Sequence, residues 1–425
     1  MWGGEIVKRS TVLLLTIAFS CSFPILARAQ REVTLYSFTG GSDGYDPSSP
    51  LVLDTEGNLY GTTYFAGTTN NFCPAGCGTV FQLAPSGGTW SFQTLHSFSG
   101  DATDVGHPSG PLAFDSSENL YGTGESGGGP YDCDFGASCG GAFELSRSAG
   151  WNESIIYSFS PKTGDSPSGL IFRQGIFYGA TTFGPGTINN PGSGTIYQLF
   201  LNKDGQWEHT VLHGFTGGKD AAEPSSLAFD PQGHIYGSTP PFPGRPGNGA
   251  LFKLSRTESG LGLSVLDDLA PSPLIFDKNG NAYASLSSGG SSNCGYYGCG
   301  SVIEFQKTAT GWQQITLYEF SSFDDGNSPG ALVFDAEGNL YGVTLLGGTG
   351  TCTLDQYTGC GTVFKLTPGG NGWQKTTLYN FTGGSDGEFP NGFLTIDSAG
   401  NLYGATQGGA SFDGTGYGTI FEIQQ

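Results

Sequence analysis

From residue 31 onward the chain alternates apolar and polar residues in short runs, as in "TVFQL" (79–83) and "FQTLHSF" (92–98). Such alternation marks strands with one buried face. No segment holds a 3.6-residue period, so the chain is expected to be all-β. The runs recur in sets. A unit D-x-x-G-N-L-Y-G-x-T reads "DTEGNLYGTT" (54–63), "DSSENLYGTG" (115–124), "DPQGHIYGST" (230–239), "DKNGNAYASL" (277–286), "DAEGNLYGVT" (335–344) and "DSAGNLYGAT" (397–406). A shortened copy, "RQGIFYGATT" (173–182), brings the number to seven, with tyrosines at 60, 121, 178, 236, 283, 341 and 403.

Each copy is followed by a G-T-V-F-x-L unit, from "GTVFQL" (78–83) to "GTIFEI" (418–423). After most of these comes a Trp-led run such as "WSFQTLHSF" or "WQKTTLYNF"; the fourth repeat keeps only "LGLSVLDD" (261–268). One strand ending at the Asp, then N-L-Y-G, G-T-V-F-x-L and the Trp run make four strands per repeat. Seven repeats of 47–62 residues predict a seven-bladed β-propeller. The last repeat lacks its fourth strand, and the N-terminus supplies an orphan, "REVTLYSF" (31–38). Placing the orphan in the last blade closes the ring and removes open sheet edges. The expected blades are 47–98, 108–159, 166–215, 224–266, 271–320, 329–381, and 390–425 completed by 32–38.

Composition fits that reading: 73 Gly and 23 Pro supply turns, while 13% aromatic residues supply a core that a disordered chain would lack. Residues 1–29 read as a signal peptide, with Lys8 and Arg9 ahead of the apolar run 12–26 and Ala27-Arg28-Ala29 as cleavage site. The mature chain is expected outside the cytoplasm, with no transmembrane segment. It keeps 13 basic and 36 acidic residues, a net charge of −23. That balance repels nucleic acid and anionic surfaces and leaves cations and neutral glycans as partners.

The stretches "GCGTVFKLTPGG" (359–370) and "TLYNFTGGSDG" (377–387) carry the signature of the GloVer tandem-repeat family of secreted bacterial proteins, which the chain resembles from about residue 32 to its end. The resemblance implies a secreted repeat protein and assigns no chemistry.

Cysteines other than Cys21 fall into close pairs, Cys73/Cys77, Cys133/Cys139, Cys294/Cys299 and Cys352/Cys360, each between the second and third strands of a blade. In an exported chain such local pairs predict disulfides rather than zinc sites. "GGSDG" (40–44) matches the G-x-S-x-G of a hydrolase nucleophile, but it recurs at 383–387, and no helix signal follows Ser42. It reads as an inter-blade connection. Every such connection carries an aspartate: Asp43, Asp104, Asp165, Asp220, Asp267, Asp325 and Asp386. The seven form either a carboxylate ring for Ca²⁺ or hydroxyl-rich ligands, or seven equivalent turns in which Asp bonds its own backbone. Their periodicity favours the turn. No other cofactor is indicated.

The repeating Tyr and Trp positions read as packing between blades. Aromatics that do not repeat, Tyr64, Phe72, Tyr131, Phe135, Tyr296, Tyr297 and Tyr357, are the binding candidates, with Tyr131, Tyr296 and Tyr297 foremost among them. His107 near Asp104 is the one acid–base pairing outside the pattern. The off-pattern acids on the same face are Asp46, Glu125, Asp132, Asp134, Glu223, Asp355, Glu388 and Asp413. The chain therefore reads as an exported, non-catalytic binding or structural module for a glycan or protein ligand. The alternatives are a glycoside hydrolase or polysaccharide lyase, and a Ca²⁺-stiffened adhesin.

Overall fold

A computed structural model describes residues 30–130, 133, 138–185, 192–240, 249–257, 260–295, 297–309, 311–354, 357–409 and 416–425. The signal segment, Tyr131, Phe135, Tyr296 and the acids Asp132, Asp134, Asp355 and Asp413 lie outside these residues. Seven four-stranded antiparallel sheets form a ring, the predicted propeller. The innermost strand of blade 1 is Val52–Leu53, followed outward by Leu59–Thr63, Thr79–Ser86 and Thr89–Ser97. Blade 7 runs outward through Glu388–Ile396, Leu402–Gly408 and Thr419–Gln424, and its outermost strand is the N-terminal Arg31–Ser37. That strand pairs antiparallel with Thr419–Gln424, from Arg31 opposite Gln424 to Ser37 opposite Thr419.

The repeated signature explains itself as local bonding. In blade 1 the Asp54 carboxylate accepts from the Glu56 and Asn58 N–H groups, both at 2.9 Å, from Asn58 Nδ2 at 2.7 Å and from Tyr60 Oη at 3.0 Å. Asp397, Asn401 and Tyr403 repeat the arrangement in blade 7. Asp turns the chain, Asn locks the turn, and Tyr ties it to the sheet. Blade 3 has no such Asp. It turns on Gln174-Gly175, both at positive φ (53° and 82°), between the paired Arg173 and Ile176, as a two-residue hairpin requires.

The tyrosines also weld neighbouring blades. Ring centroids lie 5.7 Å apart for Tyr60–Trp151, 5.8 Å for Tyr121–Trp207, 5.9 Å for Tyr236–Trp312 and 5.9 Å for Tyr403–Trp90, the last across the ring closure. These aromatics are core, as their period implies. The inner strands surround a cavity of ≈ 330 Å³ lined from all seven blades, with Leu170, Leu227, Ile275, Leu332 and Leu394 in its wall.

One blade junction buries an acid badly. Glu153, in the outer strand Asn152–Ser158 of blade 2, has its Oε1 buried without a hydrogen-bond partner. Burial, reinforced by Asp104 and Asp101 and opposed by His96, pushes its carboxyl up to about 7. Above pH 4.5 the unfolded side chain ionises while the folded one keeps its proton, so stability falls as pH rises from there to about 7 and is level beyond. Glu153→Gln should raise the melting temperature at pH 8 and flatten the fall between pH 4.5 and 7; identical pH profiles for the two proteins would refute this.

Candidate functional site

Alternating chain direction puts the D-x-x-G turns on one face of the ring. The loops between second and third strands share the other face with the inter-blade connections. All four cysteine pairs are disulfides, with Cα–Cα distances of 4.9–5.2 Å. Each staple lies close to a connection: a Cβ on Gly100 would meet Cys73 Sγ at 2.7 Å. The staples also fix a backbone bridge. The N–H groups of His107, Ser166, Ser328 and Phe389 donate to the carbonyls of Cys77, Cys139, Cys299 and Cys360, the second cysteine of each pair. Asp46 and Glu223 bond Tyr417 and Ser193 in the same way. These six residues, each just before a proline that opens an inner strand, all hold φ between 53° and 59°. A left-handed, non-glycine backbone is costly, and its recurrence shows the ring of loops to be over-determined.

The connection aspartates are bonded within their own turns. Asp43 accepts from the Thr39 N–H at 2.7 Å, Thr39 Oγ1 at 2.6 Å and Tyr36 Oη at 2.9 Å. Asp386 repeats this with Thr382 and Tyr379, and Asp220 with Thr216 and His213. Asp104 takes the Ser99 N–H at 2.8 Å and His96 Nε2 at 3.3 Å. Asp325 binds Tyr318, Ser321 and the Lys375 ammonium, the last at 2.7 Å from the next blade. Ser166 Oγ donates to Asp165 at 3.2 Å. Asp267 closes the outer strand of blade 4, where burial raises its carboxyl above the usual range. At Asp43 and Asp220 burial also pushes upward, but the donated hydrogen bonds outweigh it and hold both carboxyls low. Among the described residues no group of three or more His, Cys, Asp or Glu is arranged to hold a metal ion.

His107 does not pair with Asp104, which His96 holds. Its Nδ1 instead lies 2.9 Å from Ser126 Oγ, which leaves Nε2 for other partners. Around it the symmetry of the ring breaks. Two repeat positions meet there: the residue before the inner-strand proline, and the residue four beyond the N-L-Y-G tyrosine. Blade 1 places Asp46 and Tyr64 at these positions, and blade 2 places His107 and Glu125. The other blades carry Ser166/Thr182, Glu223/Pro240, Ala270/Ser287, Ser328/Leu345 and Phe389/Gln407. Only blades 1 and 2 have ionisable groups at both, and the structure joins them. Tyr64 Oη donates to Glu125 Oε2 at 2.7 Å, the Tyr64 and His107 rings are 5.0 Å apart, and the Tyr64 N–H bonds the Asp46 carbonyl at 3.0 Å.

Burial pushes the Asp46 carboxyl up, pushes the His107 imidazole down toward its neutral form, and with the negative Glu125 raises the Tyr64 phenol. The rings continue outward. Phe65 is 5.9 Å from His107, Tyr45 stacks on Phe65 at 5.1 Å, and Tyr417 of blade 7 is 5.7 Å from Tyr45. Of the foremost aromatic candidates, Tyr297 is 65% exposed on the blade 5 loop, well away in sequence from this ladder. All four ionisable members are visible in the sequence as off-pattern residues. Aligning them by repeat position, rather than by chain proximity, is the signal that joins them.

The chain is similar to virginiamycin B lyase from Staphylococcus aureus, at 11% identity and TM-score 0.55 over 93% of this chain and 99% of that one. It is similar to the same degree to a fungal copper-containing alcohol oxidase of the AA5 family, at 11% identity and TM-score 0.55 over 93% of this chain and 76% of that one. At such identity these likenesses show the fold alone. No curated protein matches the chain. The repeat profile omits residues 188–269, which hold blade 4 and the end of blade 3, two of the three blades without a staple. Its match to residues 23–187 and 270–425, about three quarters of the chain, makes the protein a member of the Gloeobacter/Verrucomicrobia repeat family.

Proposed function

We propose that the protein is an exported, non-catalytic repeat module that presents its stapled face to an extracellular glycan. One observation carries this reading. Of the six large apolar side chains exposed among the described residues, four (Phe72, Tyr297, Leu354 and Tyr417) stand on the loops between second and third strands, all on one face. Aromatic groups on rigid loops are a usual means of specificity, and a disulfide in each of the Phe72, Tyr297 and Leu354 loops keeps the cost of ordering those three small. Export is supported by the charged and apolar segments of residues 1–26 and by disulfides, which persist outside the cytoplasm. Among the described residues no helix is long and apolar enough to cross a membrane.

A catalytic reading has one observation in its favour: the Tyr64–Glu125 hydrogen bond beside a neutral imidazole is acid–base equipment. One experiment separates the two. Purified residues 30–425 are incubated with insoluble plant and microbial polysaccharides, and the supernatants are assayed for reducing and unsaturated sugars. Retention without release is expected. Release of product would replace the module with a carbohydrate-active enzyme, and retention on no polymer would remove the glycan.

A further inference from the structure

We propose that the aromatic ladder running from Tyr417 through Tyr45 and Phe65 to His107 and Tyr64 is a subsite for neutral pyranose rings. The inference rests on the glycan reading above and gives it a place and a ligand class. The ladder crosses three blades, yet its neighbours in space are never more than 5.9 Å apart between centroids. Tyr45, Tyr64, Phe65 and His107 are half-buried and Tyr417 is 39% exposed, so the rings are held without being sealed off.

A pyranose has one face of axial C–H bonds whose slightly positive hydrogens suit the negative face of an aromatic ring. Its rim of hydroxyls both donates and accepts. The site offers both partners. The second Glu125 oxygen and the Asp46 carboxyl accept, and His107, held at Nδ1 by Ser126, presents Nε2. Charge narrows the class further. Uronates and sulfated sugars meet a chain of net charge −23 with two carboxyls in the site. Cationic sugars would want both carboxyls ionised, whereas burial disfavours the charged form of Asp46.

Neutral hexasaccharides of cellulose, xylan, laminarin and mannan are titrated calorimetrically into residues 30–425, with chitosan hexamer as the cationic comparison. At least one neutral oligosaccharide should bind, and both Tyr64→Ala and Tyr45→Ala should weaken it about tenfold or more, the loss expected when a stacking ring is removed. Tyr64→Phe and Glu125→Gln, which keep volume, provide variants that fold if alanine does not. They should weaken binding by a smaller factor. Leu201→Ala, an exposed apolar residue at the end of the strand Thr195–Leu201 on the opposite face of the ring, should leave this affinity unchanged. If polymers retain the protein but the ladder variants bind as tightly as the parent, the subsite is overturned and the module reading survives. Preference for chitosan overturns the neutral class. Failure to be retained by any polymer removes both readings together.

Discussion

Removing residues 30–38 should unfold the ring or lower its melting temperature by more than about 10 °C, since about 1 kcal/mol moves a domain of this size by only a few degrees. The segment is short, but it is the whole outer strand of blade 7. It carries Phe38, which is 5% exposed in a cluster with Leu51, Phe81, Leu83 and Ile420, and Tyr36, which stacks on Phe92 at 3.9 Å. Leu35 packs on the same cluster. Full burial of such a side chain contributes about 1.5–3 kcal/mol; Phe38 is buried, while Leu35 and Tyr36 are half-buried and fall at the low end. Together with the lost strand pairing they are a large fraction of the total stability of an ordinary domain, about 5–15 kcal/mol. The deletion also leaves the Thr419–Gln424 edge without a partner, which invites association between copies. It strips the Asp43 turn of its Tyr36 donor as well. Thermal melts with size-exclusion chromatography test this, and a synthetic peptide of residues 30–38 added in trans should restore part of the loss. A truncated protein that stays monomeric and melts like the parent would show that the strand does not close the ring.

The closure was legible in the sequence because an incomplete last repeat and an orphan first strand are complementary remnants of one unit. Blade number and strand order were legible for a similar reason: a residue needed once per blade has to recur, so period alone separates structure from accident. The same logic marks Asp54 and Tyr60 as structural, while the bonds by which Asn58 and Tyr60 lock the Asp54 turn show only in the fold. It says less about the site. Asp46, Tyr64, His107 and Glu125 were each visible as exceptions, yet their convergence depends on which repeat positions adjoin across a blade junction. The sequence reading paired His107 with Asp104, three residues away. In the fold, a left-handed backbone at His107 turns its ring toward Tyr64 and Ser126, while Asp104 closes its own turn with His96. Chain proximity misleads wherever a sharp turn separates two neighbours.

A double-mutant cycle on the N-L-Y-G glycine should show strong coupling. In six blades that residue is Gly, and the residue paired with it across the sheet is an aromatic: Gly61 with Phe81, Gly122 with Phe143, Gly179 with Tyr197, Gly237 with Phe252, Gly342 with Phe364 and Gly404 with Phe421. Blade 5 departs at both positions together, with Ala284 opposite Ile303. The reason is steric. A Cβ on Gly342 would meet Phe364 Cζ at 2.6 Å and Leu332 Cδ2 at 3.1 Å, because the tip of the aromatic ring fills the place of the missing side chain. Gly342 is not among the positive-φ glycines, so alanine there meets crowding without backbone strain. Gly342→Ala should therefore cost about 1–3 kcal/mol by overpacking. Phe364→Ile alone should cost a similar amount by leaving a cavity over the glycine. The double variant recreates the blade 5 pair, in which the methyl fills what the ring vacates, and should recover most of both losses. Urea unfolding of the four proteins gives the coupling energy directly. Simple additivity would mean that the paired departure in blade 5 is coincidence. A recovery of more than about 1 kcal/mol would show that each blade chooses between two ways of filling one space, and that Gly is retained in the signature for the ring above it rather than for any freedom of its backbone.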